Sequence, residues 1–101
     1  MADAPPTKPS QRPLEMRIEE ISAIPGRGTK LTGPVLHGTV TTGDAVEIVG
    51  RTSPKSTATV VTAVTVSGKL VERGRVGETV GLLVRAVDPR SVAQGDVVRG
   101  S

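Results

Sequence analysis

Ile24-Pro25-Gly26-Arg27-Gly28-Thr29 sits between two segments of alternating apolar and polar residues. Pro25 fixes φ near −65°, and Gly26 and Gly28 supply positive φ without steric cost, so the stretch predicts a tight turn between two strands. Upstream, Leu14, Met16 and Ile18 alternate with Glu15, Arg17 and Glu19, the period of a half-buried strand. The alternation changes phase near Glu20 and Ile21, where a bulge would restore register. Downstream, a strand is expected over Thr29 to Val40.

Further along, Thr42-Gly43-Asp44 predicts a second turn, and Val46 and Ile48 alternate with Glu47 in a third strand. Ser56 to Ser67 is the longest strand candidate. Ala58, Val60, Val64 and Val66 share one face there, interrupted by Thr62, and Thr57, Thr59, Val61, Ala63 and Thr65 share the other. Turns are expected at Ser67-Gly68-Lys69 and at Arg73-Gly74-Arg75, flanking the apolar pair Leu70-Val71. Val80, Leu82, Val84 and Ala86 alternate again. Asp88-Pro89-Arg90-Ser91 predicts a helical turn capped by Asp88, and Val97-Val98 a closing strand. Six or seven short strands with no helix-length apolar periodicity predict an all-β chain forming a closed or nearly closed antiparallel barrel.

Composition agrees with one small β domain. The 101 residues contain 16 Val against 6 Leu, 4 Ile and 2 Met, and no Phe, Tyr or Trp. Branched aliphatics must fill the interior, each contributing roughly 1.5 to 3 kcal/mol when fully buried, without the larger aromatic increments. The first thirteen residues are a separate zone. Pro5, Pro6, Pro9 and Pro13 are half of the eight prolines, which predicts a disordered Pro-rich tail over 1–13 ahead of a barrel over 14–99. A Pro-rich recognition peptide is the sharper alternative for that tail. Gly100-Ser101 carries no signal, and a cloning remnant is one origin for it.

Charge and chemistry narrow the function classes. Net charge is +3 from 13 basic and 10 acidic residues, dispersed rather than clustered, so a solvated surface competes with weak phosphate attraction. Stacking of bases on aromatic rings is ruled out by composition. Without Cys there is no disulfide or thiolate chemistry. With one His, no Gly-x-Ser-x-Gly and no acidic loop, neither an activated nucleophile nor a metal-ligand spacing is visible, and no cofactor is expected. Gly26-Arg27-Gly28-Thr29 also lacks the Lys-Ser or Lys-Thr and the following helix of a phosphate loop. The start lacks the basic-then-apolar order of a secretory signal, and no run reaches the roughly 18 apolar residues of a membrane span. A cytoplasmic, non-enzymatic protein is the expectation.

Several ordered segments are similar to one known family. Arg17-Ile18-Glu19-Glu20-Ile21-Ser22-Ala23-Ile24 before the Gly-Arg-Gly-Thr turn, Leu31-Thr32-Gly33, Val46-Glu47-Ile48-Val49-Gly50, Lys55-Ser56-Thr57-Ala58-Thr59, Arg73-Gly74-Arg75-Val76-Gly77-Glu78 and Val80-Gly81-Leu82-Leu83-Val84-Arg85 resemble the second domain of elongation factor Tu. The resemblance spans about residues 14 to 98. It implies the translation-protein β-barrel of translational GTPases, here without a GTPase domain, and hence no GTP binding by this chain alone. A Met-initiated Pro-rich leader argues against an excised fragment.

In that family the second domain helps to hold the acceptor end and amino acid of aminoacyl-tRNA. Glu19 and Glu20 fall on the family's acidic pair and Thr32 on its Thr. Ser22 replaces its Phe, Thr62-Ala63-Val64 its Glu-Met-Phe stretch, and Thr79 its Asn. A second reading stays open for Glu19 and Glu20, as residues of a wet strand face. His37 is expected at the surface or in a loop, and Pro34 at an edge or bulge.

Two functional classes follow. One is a binding module that meets tRNA, the ribosome or a translation-related protein, through Glu19, Glu20 and Thr32 and the turns carrying Arg27, Arg51, Arg73 and Arg75. The other is a structural or interaction domain that pairs with a protein partner or with itself, outside translation.

Overall fold

The computed structural model describes residues 13–51 and 56–100. The Pro-rich segment before Pro13, Lys55 and Ser101 lie outside them. Ten strands follow in order: β1 (Glu15–Arg17), β2 (Glu20–Ile24), β3 (Gly28–His37), β4 (Thr39–Thr41), β5 (Ala45–Val49), β6 (Ser56–Val66), β7 (Lys69–Val71), β8 (Arg73–Arg75), β9 (Thr79–Val84) and β10 (Val97–Gly100). One 3₁₀ turn, Pro89–Ser91, precedes β10.

Every pairing is antiparallel. Hydrogen bonding runs β1-β10-β5-β6-β9-β3, and β3 pairs back onto β1, closing a six-stranded ring. β2 extends the sheet from β3, β7 pairs with β6, and β4 and β8 form a separate two-stranded ribbon. Closure removes most free edges, the usual liability of small sheets. The all-β barrel expected from the alternation is the observed fold.

Met16, Ile18, Leu31, Val35, Val40, Val61, Val64, Val80, Leu82, Val84 and Val98 are almost wholly buried inside it. The interior is filled by aliphatic side chains, as the composition requires. Two polar groups join this core. The Thr29 hydroxyl donates to the Val87 carbonyl. Asp96 accepts from the Arg51 amide at 3.0 Å and the Ala93 amide at 2.9 Å, tying the start of β10 to the end of β5.

Several strand limits depart from the sequence reading. The first strand breaks at Ile18 and Glu19 rather than at Glu20 and Ile21. There the Ile18 amide turns to the Asp96 carbonyl and the Glu19 amide to the Thr32 carbonyl, so β1 closes the ring while β2 leaves it. The strand expected over Thr29 to Val40 ends at His37, because Gly38 at φ 73° redirects the chain into β4. On β9 the alternation stops at Val84, and Ala86 is exposed at φ 54°.

Arg73-Gly74-Arg75 is a strand and not a turn. It pairs with β4, Gly74 opposite Val40, and Gly74 is buried where a Cβ would meet a Val80 methyl at 2.4 Å. Glycine here answers to packing rather than to chain reversal.

Thr62 marks a bulge. Register between β6 and β9 shifts between Val61 and Ala63, so Val61 and Val64 both point inward and Val60 is 42% exposed. An uninterrupted alternation would place Val60 on the same face as Val64, as the sequence pattern predicts. Pro34 pairs with Thr79, and its neighbour Val35 donates to Glu78 on the β9 side. Successive residues alternate bond direction, which aims the Pro34 nitrogen at the break between β1 and β2, where no donor is needed.

Candidate functional site

The outward residues of five neighbouring strands form one face. Cross-strand register aligns Glu20 on β2 with Thr32 on β3, Thr32 with Gly81 on β9, Gly81 with Thr65 on β6, and Thr65 with Leu70 on β7. A second row places Ser22 opposite Lys30, Lys30 opposite Leu83, and Leu83 opposite Ala63. Directly opposed residues share a face, so hydroxyls, one ammonium, one carboxylate and a bare glycine lie side by side.

Glu19, Glu20 and Thr32 are brought together. Beyond the Glu20–Thr32 pair, the Glu19 amide donates to the Thr32 carbonyl at 2.8 Å. The Glu19 carboxylate accepts from Arg17 at 3.0 Å, with both side chains 52% exposed. Such a half-exposed pair is worth about 0 to 1 kcal/mol and leaves the carboxylate free to exchange partners. Gln94 donates its amide to the Glu19 carbonyl at 2.9 Å, bracing the link between β1 and β2 from the segment before β10. Glu20 itself is exposed.

The arginines are not part of this constellation. Arg27 lies in the β2–β3 turn, and Gly28 packs against the backbone of Val84, so Arg27 stands off the C-terminal end of β9. Arg73 and Arg75 are exposed on β8, opposite Thr41 and Thr39, and the Arg75 amide is held by the Glu78 carboxylate at 2.8 Å beside the N-terminal end of β9. Six strand residues span roughly 20 Å, so the two arginine groups sit at opposite ends of the barrel. Arg51 is exposed near Gly95 and belongs to neither. His37 ends β3 opposite Glu15, half-buried at the seam where the ring closes.

Two shallow grooves cut the face. One, of 230 Å³, lies between β3, β9 and β6 and is lined by Lys30, Thr32, Thr65, Ser67, Thr79 and Gly81 among others. The other, of 460 Å³, lies beside β7 and is lined by Thr42, Thr62, Ala63, Leu70, Val71 and Glu72. Thr32 and Thr79 thus share a groove, whereas Thr62 and Ala63 open into its neighbour. The Thr62 hydroxyl is occupied, donating to the Leu83 carbonyl at 3.1 Å.

Lys30, Thr65 and Gly81 were not singled out from the sequence as site residues. Their signal was present: Lys30 alternates in phase with Thr32, and a glycine inside a strand marks close approach of another group. No grouping of three or more His, Cys, Asp or Glu suited to a metal occurs among the described residues. No helix among them is long and apolar enough to cross a membrane.

Comparison with known proteins agrees with the barrel and its strand order. The bacterial selenocysteine-specific elongation factor EF-Sec contains a region that superposes with a TM-score of 0.81 at 24% identity, covering 94% of this chain. The chain spans only 16% of the length of that protein, and the likeness is one of fold. The sequence model of elongation factor Tu domain 2 matches residues 28–99. That match runs from the first residue of β3 into β10 and takes in five of the six ring strands. This chain therefore belongs to the elongation factor Tu domain 2 family, the β-barrel domain of translation factors, and holds no GTPase domain within its 101 residues.

Proposed function

We propose that this barrel is a non-catalytic binding module that receives RNA, the acceptor end of a tRNA foremost, on the outer face of β2, β3 and β9. The observation that carries this reading is the pairing of Glu20 with Thr32, with Glu19 hydrogen-bonded beside them. Two carboxylates can accept from ribose hydroxyls, and Thr32 can donate to or accept from a base or sugar. Gly81 presents no side chain of its own here, and Lys30 and Thr65 reach over it toward whatever binds. No aromatic ring is available to stack on a terminal base, each such contact being worth about 1 to 3 kcal/mol. Affinity then rests on hydrogen bonds, on the Lys30 ammonium of this face and on the net charge of +3, so it is weak and salt-dependent.

Filter binding of aminoacyl-tRNA and uncharged tRNA at two salt concentrations tests the proposal. Binding that weakens with salt, and that loses any preference for the aminoacyl form in Glu20→Gln or Thr32→Ala, supports it. Absence of binding at micromolar protein removes it. The ribosome, as a further RNA partner in the cytoplasm, is tested by co-sedimentation.

A second reading is favoured by Leu70, which is 74% exposed on the short edge strand β7 and borders the larger groove. It makes the barrel an interaction domain for a protein partner or a second copy, outside translation. Sedimentation of the wild type against Leu70→Ser, together with capture from a lysate, separates this reading from the first.

A further inference from the structure

The side chain of Lys30 lies across Gly81. A Cβ built on Gly81 would stand 2.6 Å from Lys30 Cε, 3.6 Å from Lys30 Nζ and 2.6 Å from Thr65 Oγ1. The missing side chain at 81 is thus the floor of the 230 Å³ groove, and the ammonium and the Thr65 hydroxyl both reach over it. Lys30 is half-buried and makes no ion pair among the described residues. Among the described residues the side chains of Thr32, Thr79 and Ser67 have no hydrogen-bond partner in the protein either. Thr65 reaches only the Gly81 carbonyl at 3.5 Å, the outer limit of such a bond.

An ammonium and four hydroxyls that line one groove can donate together to a single anionic acceptor. The groove lining holds one cation and no carboxylate. Glu20 flanks it from β2, opposite Thr32, without pairing to Lys30. The forked guanidinium of Arg, which matches carboxylate and phosphate alike, is absent from the lining, and the one cation is the Lys30 ammonium. A tetrahedral phosphate is matched by a point-charge ammonium with hydroxyl donors converging from several strands. The volume is several times the roughly 30 Å³ share of one water, enough for a phosphate and part of the group it esterifies.

We infer that this groove binds a phosphate oxyanion, held by Lys30 Nζ and the hydroxyls of Thr32, Thr65, Ser67 and Thr79 over Gly81. The inference rests on the reading of this face as a binding face and names the ligand group it takes. The phosphate comes from a free phosphate compound or from the end of an RNA strand.

The test is an amide-resolved NMR titration of the whole chain with potassium phosphate, against potassium chloride at equal ionic strength. Saturable shifts are expected at Thr32, Thr65, Ser67 and Gly81. Lys30→Gln should weaken the midpoint roughly tenfold or more, and Lys30→Arg should restore most of it. Gly81→Ala, which displaces the Lys30 methylenes, should weaken it as well. Retained spectral dispersion confirms that each variant is folded. A second arm compares a short RNA with and without a 5′-phosphate. A preference for the phosphorylated strand, abolished by Lys30→Gln, supports the same site with RNA as the source.

No saturable response to either ligand, or equal midpoints for wild type and Lys30→Gln, overturns the inference. The tRNA measurement on the same samples keeps the two readings apart. tRNA binding without a phosphate response rejects only the oxyanion site. A Lys30-dependent phosphate response without tRNA binding rejects only the RNA reading.

Discussion

Val61 and Val64 are both wholly buried on the same side of β6, although an odd spacing would put them on opposite faces of a regular strand. Thr62 is the extra residue that makes this so. It steps out of the ladder against β9 and ties its hydroxyl to the Leu83 carbonyl, and the strand resumes with Val64 inward. The outer face inherits Ala63 and Thr65 from the same step, so one inserted residue sets both the core and the groove.

Val61→Ala and Val64→Ala should therefore each cost about 2 kcal/mol, the loss of two buried methyl groups with the cavity they leave. Val60→Ala, at an exposed position, should stay within about 0.5 kcal/mol. Urea denaturation of the three variants measures the contrast, and equal costs at 60 and 61 would contradict the bulge.

Gly74→Ala places a methyl 2.4 Å from a Val80 methyl and 3.4 Å from one of Val40. The expected cost is about 1 to 3 kcal/mol from overpacking. The double variant Gly74→Ala with Val80→Ala should cost less than the sum of its parts, because the added methyl enters the space vacated at 80. Additive costs would assign Gly74 a purely conformational role.

Ala86 and Ser67 hold positive φ of 54° and 53° without being glycine. Ala86→Gly should raise stability by roughly 0.5 to 1 kcal/mol through relief of left-handed strain, less the entropy of the added freedom. Ser67 and Gly68 form the two-residue turn between Val66 and Lys69, both at positive φ, the geometry of a type I′ hairpin. Ser67→Asn should stabilise that hairpin by a few tenths of a kcal/mol. Thermal melts give both values.

The Asp88 carboxyl is held below its ordinary value of 3.8, first by the hydrogen bond from the Arg90 backbone N–H at 2.9 Å, with the Arg90 charge assisting and slight burial opposing. A depressed folded pKa means the cap contributes stability above the unfolded value, and that contribution is lost as pH falls through the folded one. Asp88→Ala should lower Tm by a constant amount from pH 8 down to about pH 4 and by progressively less below it. Asp88→Asn, which still accepts the bond but does not titrate, should show no such convergence toward Asp88→Ala. A Tm difference between wild type and Asp88→Ala that stays flat to pH 2 would remove the carboxylate from the account.

Local patterning along the chain sets the material of this fold: the alternation of Met16, Leu31, Ile48, Leu82 and Val98 with polar neighbours, the Pro25-Gly26 turn, the Asp88 cap and the all-aliphatic interior. These are local properties, set by side-chain period and by the φ each residue tolerates. The tertiary structure decided what depends on residues distant in the chain. Gly74 lies in a strand because Val40 and Val80 meet over it, and the first strand breaks at Ile18 because Asp96 and Thr32 claim successive amides. Lys30 meets Thr65 because Gly81 leaves room between them. Hydrogen-bond partners and free volume belong to pairs of strands, and a single strand's pattern carries no record of its neighbour's register.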